Sequence, residues 1–97
     1  MPDTQTVWSP LAVDDLETIR AYIYPKNPKA AQDMVRRVLK AIEMLQSSPH
    51  IGRPGRVSNT RELIVRLTPY IVPYRVSQNR LEILRVYDAR RRWPDTF

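Results

Sequence analysis

The 97-residue chain contains no cysteine, one histidine and two glycines, and each shortage closes a door. Without cysteine there is no disulfide framework, no thiol nucleophile and no cysteine-built zinc site. His50 alone cannot complete a zinc site of ordinary composition or support a Ser-His-Asp arrangement. It stands beside Pro49 in a loop, where an exposed structural role competes with a chemical one. Two glycines cannot build a phosphate-cradling loop or a dinucleotide fingerprint. The longest apolar runs are four residues, too short to cross a membrane. No charged-then-apolar leader opens the chain, so the expected compartment is the cytoplasm. Metal and cofactor are both expected to be absent.

Lysine is missing from half of the chain. Residues 1–49 hold six basic and six acidic side chains and are neutral. Residues 50–97 hold ten arginines, no lysine and four acids, Glu62, Glu82, Asp88 and Asp95, which puts the whole net charge of +6 there. Guanidinium groups offer planar forks of donors that match phosphate and carboxylate oxygens. A segregated arginine half is either a solvated basic surface or the footprint of an acidic or polyanionic partner, and segregation favours the second.

The length suits one domain over 1–97 with a single modest core. Thr4–Trp8 is a short strand. Ser9-Pro10 then supplies an N-cap and a proline at the first helical position. Ala12, Leu16, Ile19 and Ile23 follow at helical spacing, and the helix stops near Tyr24-Pro25. Asp14, Asp15 and Glu17 are read as acids favoured by the positive end of this helix, not as metal ligands. Asn27-Pro28 repeats the cap and opens a second helix to about Ser47. Its apolar face is Ala31, Met34, Val35, Val38, Leu39, Ile42 and Leu45. The short connection makes the two helices an antiparallel hairpin.

From His50 the period changes. Gly52-Arg-Pro-Gly55 is a turn cluster, followed by strands near 62–67, 70–76 and 81–87. Tyr70, Val72, Tyr74 and Val76 share one face, with Ile71, Pro73 and Arg75 opposite. Pro73 implies an edge, a bulge or a local break, because it cannot donate to a ladder. Asn79 suits the positive φ of the 77–80 turn. The expected fold is α+β: an N-terminal strand, an antiparallel helix hairpin, then a three-stranded antiparallel meander packed against the helices.

The chemistry-bearing set is arginine interleaved with aromatics: Arg61, Arg75, Arg85, Arg90, Arg91 and Arg92, with Tyr74, Tyr87 and Trp93 among them. Such a surface suits phosphate contacts and base stacking. Arg85 and Tyr87 converge by period two, although a sheet-margin arginine and a core-capping tyrosine read equally well. Strand cleavage needs two proton-transfer groups; Tyr87 supplies one, and arginine remains protonated. The residues favour anion binding over acid–base catalysis.

Several stretches, in order, carry a family likeness. They are 9–16 (SPLAVDDL), 27–31 (NPKAA), 51–55 (IGRPG), 59–63 (NTREL), 70–76 (YIVPYRV) and 83–94 (ILRVYDARRRWP). Together they resemble the RelE/ParE superfamily of toxins over nearly the whole chain. The resemblance implies a type II toxin neutralised by a cognate antitoxin. One branch of that superfamily cuts mRNA on the ribosome and the other blocks DNA gyrase. Arg61, Arg85 and Tyr87 fall where the mRNA-cleaving branch places functional groups. Asp88 stands where relatives often carry histidine, and the Arg90-Arg91-Arg92-Trp93 ending is similar to the gyrase branch. The resemblance therefore points to gyrase as target, with ribosome and mRNA as the alternative. Target contacts are expected at Arg61, Arg75, Arg85, Arg90, Arg91, Arg92 and Trp93. The antitoxin is expected to be acidic and partly disordered, meeting Ile19, Tyr22 and Ile23, with core packing as the other reading for Ile23.

Overall fold

The structure, a computed structural model, describes residues 5–23 and 25–91. The chain runs β1 (Gln5–Trp8), α1 (Pro10–Ile23), α2 (Pro28–Met44), β2 (Arg53–Pro54), β3 (Arg61–Ile64), β4 (Tyr70–Ser77), β5 (Arg80–Ile83) and β6 (Tyr87–Asp88). The sheet order is β1-β5-β4-β3-β2, with β6 also on β4. The meander is antiparallel, and β1 joins it parallel to β5. The expected α+β architecture is therefore present, with β2 and β6 as short additions.

Both caps form as their residues dictate. Ser9 Oγ accepts from the Ala12 amide at 3.0 Å, and Asn27 Oδ1 accepts from the Ala30 amide at 3.0 Å. The Lys26 and Asn27 amides both return to the Ile23 carbonyl, which closes the connection between the helices. Helix α2 ends at Met44, short of the expected Ser47. There Leu45 and Gln46 bond back three residues, tightening the chain out of the α-helix. Ala31, Val38, Ile42 and Leu45 bury the inner stripe of α2, whereas Leu39 faces outward.

The core lies between α1/α2 and one sheet face. Val72 and Tyr74 are fully buried there beside Leu81 and Ile83, while Trp8, Leu16 and Val76 pack at its margin. The alternation along β4 thus holds. Its other face is covered as well, since Ile71 and Pro73 are also buried.

Pro73 sits on the central strand, not an edge, and the break it demands falls on its neighbour. Ile83 pairs with Tyr74 and Tyr87 with Ile71, so three residues, Leu84 to Val86, stand against two, Val72 and Pro73. That is a β-bulge. The Leu84 amide donates to the Pro73 carbonyl at 3.0 Å, and proline has no N–H to return. Ser9 Oγ instead donates to the Leu84 carbonyl at 2.7 Å. One hydroxyl therefore caps α1 and satisfies the acceptor that Pro73 orphans. Two further expectations shift: the run expected over 81–87 is split into β5 and β6 by this bulge, and Gln78, not Asn79, takes the positive φ (52°) in the β4–β5 turn.

Candidate functional site

The bulge re-aims Arg85 toward α1. Its Nε and Nη2 donate to the two Asp15 carboxylate oxygens at 2.7 and 2.9 Å, and the Val86 amide donates to the same carboxylate at 3.0 Å. Asp15 is therefore a strap between α1 and the bulge, and the helix-terminus reading of this residue is corrected: the first turn of α1 holds no acid. Its signal was in the spacing, because Ala12, Asp15, Ile19 and Ile23 fall on one helical stripe. A carboxylate on an inward stripe asks for a partner.

Arg85 also lies over the Tyr87 ring, 4.5 Å from its centroid. The two side chains expected to converge do so, through the bulge and not through a regular pleat. Hydrogen bonding to Asp15 raises the Arg85 pKa, so the guanidinium stays charged and paired. Burial pushes the Tyr87 hydroxyl up, more than the Arg85 charge pulls it down. Two residues on, Arg90 Nε and Nη2 grip the Asp88 carboxylate at 2.9 and 2.6 Å. That hydrogen bonding holds the Asp88 carboxyl at about 2, far from where it could exchange protons near neutrality.

These groups form one end of a groove of about 480 Å³ between α1 and the end of the sheet. Its apolar wall is Ile19, Tyr22, Ile23 and Met34, and its charged lip is Arg85, Asp88, Arg90 and Arg91. The three residues expected to meet a partner thus lie together. Tyr22 is 70% exposed, with the Lys26 ammonium 4.3 Å from its ring centroid. Ile23 is half-buried.

Arg61 lies elsewhere. Its Nη1 donates to the His50 and Gly52 carbonyls at 3.2 and 2.8 Å. It lines a separate small pocket with His50, Asn59, Thr60 and Val76, which shares no residue with the groove. Tyr74 pins the same loop: its hydroxyl donates to the Pro49 carbonyl at 2.8 Å and accepts from the Gly52 amide at 2.9 Å. Nearby Glu62, only 2% exposed, is held by Arg53 at 3.0 Å and by the Arg56 amide at 2.9 Å. Arg75 stands opposite Glu82 on β5, away from the groove, and its Nε is buried without a partner among the described residues. Arg92 and Trp93 lie outside the described residues. No helix of the described residues is long and apolar enough to cross a membrane.

A bulged sheet backed by a helix hairpin, with an arginine-lipped groove beside the first helix, defines a small α+β binding fold. Residues 6–93 match the family described as ParE toxin of type II toxin-antitoxin system, parDE, and the chain belongs to that family. It is 44% identical over 87 residues to "Putative toxin Y4kP" of Sinorhizobium fredii, covering 90% of each chain. It is 38% identical over 87 residues to toxin RelE2 of Caulobacter vibrioides, covering 90% of this chain and 97% of that one. The fold superposes on a chain of the chromosomal ParDE TA system from P. aeruginosa with a TM-score of 0.80 and 26% identity, covering 88% of this chain and 95% of the other.

Proposed function

We propose that this type II toxin arrests growth by inhibiting DNA gyrase in the cytoplasm, and that it is silenced by an acidic, partly disordered antitoxin. The observation that carries the choice of target is the state of the Asp15–Arg85–Tyr87–Asp88 cluster. RNA cleavage needs one group to take the 2′-hydroxyl proton and another to give one back. Arg85 is neutralised by Asp15, Tyr87 is shifted toward retaining its proton, and Asp88 is held ionised by Arg90. Arg61, the third group that cleavage would recruit, is engaged with the loop at 50–52. The set suits a binding surface better than a nuclease. The ribosome-dependent mRNA-cleaving alternative is supported by the Arg85–Tyr87 contact and by the likeness to toxin RelE2.

The partner reading rests on the groove. Ile19, Tyr22 and Ile23 offer an apolar seat, and Arg90 and Arg91 at its lip suit carboxylates. Binding of the antitoxin should weaken as salt rises; salt-independent binding would remove the electrostatic part.

The target is tested by inducing the chain alone in bacteria and pulse-labelling DNA and protein synthesis. The expected result is early loss of DNA synthesis with filamentation. Early loss of protein synthesis, abolished by Tyr87→Phe, would assign the ribosome and mRNA instead.

A further inference from the structure

We propose that the tip of the β3–β4 hairpin, Leu67 beside Arg66, is the point at which this toxin enters its protein target, in an apolar cleft with an acidic rim. The proposal rests on the toxin reading above and names the surface that reading leaves unspecified.

Three observations meet at this tip. Leu67 holds φ 64°, the left-handed region that penalises a side chain with a Cβ. Among the described residues, the other two non-glycine positions with positive φ, Asn59 and Gln78, are polar. Among the described residues Leu67 is also the most exposed large apolar side chain, at 79%, and Ile64 in the same hairpin is 52% exposed. The turn is braced from inside: the Val65 amide donates to the Tyr70 carbonyl at 3.1 Å, and Thr68 Oγ donates to the Val65 carbonyl at 2.8 Å while accepting from the Tyr70 amide at 3.0 Å. The fold therefore holds an apolar side chain outward in a conformation that asparagine or glycine would occupy more easily, and nothing in the core uses it.

Charge selects the partner. Segment 64–69 contains one cation, Arg66, and no acid. The Ala89 amide donates to the Pro69 carbonyl at 2.7 Å, which brings the start of Arg90-Arg91 against the hairpin base. Arg90 and Asp88 engage each other, so the open positive charge at this edge is that of Arg66 and Arg91. An apolar point among guanidinium groups complements an apolar cleft edged with carboxylates. A lone leucine has no aromatic face for stacking unpaired bases, and an apolar protein cleft buries it more completely, which favours a protein partner. Pro69 and Tyr70, which follow the tip in the chain, line the groove.

The test is Leu67→Asn, with Leu67→Gly and Leu67→Met beside it, each expressed alone at matched soluble levels and also melted as purified protein. Leu67→Asn and Leu67→Gly should melt at or above the wild-type temperature, because both suit the left-handed region. The dose needed to stop growth should rise at least about tenfold for both, the scale of losing one apolar anchor. Leu67→Met should stay toxic. Full toxicity in Leu67→Asn overturns the proposal and leaves the toxin reading intact. Loss of toxicity that tracks a lower melting temperature in both polar and glycine variants makes Leu67 a structural residue and also overturns it. A harmless wild type removes the toxin reading itself, and the tip proposal with it.

Discussion

Arg61 and Arg85 carry the same charge and sit in the same arginine-rich half, yet the two ends of the sheet use them differently. At the loop end, Arg61 gives its hydrogen bonds to backbone carbonyls at 50 and 52, Tyr74 closes the same loop, and Arg53 and Arg56 close over the buried Glu62. At the groove end, Arg85 is held by Asp15 and Arg90 grips Asp88, yet Arg90 and Arg91 both stand exposed at the lip of an open groove. The lesson is that a charge count overstates a binding surface. Arginines that meet carbonyls or a buried carboxylate are part of the fold, and those that stay exposed, as Arg90 does on Asp88 and Arg91 beside it, are the ones another molecule can reach.

The largest effect expected from breaking this division is Gly52→Ala at the loop end. A Cβ there would lie 2.5 Å from the Tyr74 hydroxyl and 2.9 Å from the Glu62 carbonyl. Denaturant unfolding should show a loss of about 3 kcal/mol, as for an overpacked interior site. Tyr74→Phe follows, because it strips the Pro49 carbonyl and Gly52 amide of a partner, at a cost of roughly 2 kcal/mol. Toxicity per folded molecule should not change in either; a fall would move the loop end into the functional surface.

Asp15→Asn, at the groove end, comes third. It removes the charge from the strap that joins α1 to Arg85 and the Val86 amide. The expected cost is about 1–2 kcal/mol, because both partners are only partly buried. Arg85 should then gain affinity for anions, seen as tighter retention on a phosphate resin. Unchanged retention would mean that Asp15 does not set the available charge. The smallest effect is the Asp88 titration. Its carboxyl is held at about 2 against an ordinary 3.8. The contribution of the Asp88–Arg90 pair is therefore complete above the ordinary value and lost as pH falls through about 2. A carboxyl chemical-shift titration with its midpoint near 4 would break the pair.

Much of the fold was legible from residues with one local job. Ser9-Pro10, Asn27-Pro28 and the spacing of Val38, Ile42 and Leu45 locate two helices because caps and stripes act within a turn or two. The alternation of Tyr70, Val72 and Tyr74 locates the core strand for the same reason. The candidate site was legible only in part. Ile19, Tyr22 and Ile23 do line one groove, and Arg85 does meet Tyr87. The bulge that joins them was not readable, because it depends on how β5 and β6 register against Pro73 from across the sheet. The destinations of Arg61 and Asp15 were hidden likewise, since each is decided by a partner 9 to 70 residues away in sequence.

The division between the two ends is tested most directly with purified protein and DNA gyrase, following supercoiling and cleavage-complex formation. The account predicts inhibition by the wild type, its loss when Arg90 and Arg91 are both replaced by alanine, and its retention in Arg53→Ala. Gyrase left untouched by saturating wild type, or inhibited equally by all three proteins, would contradict it.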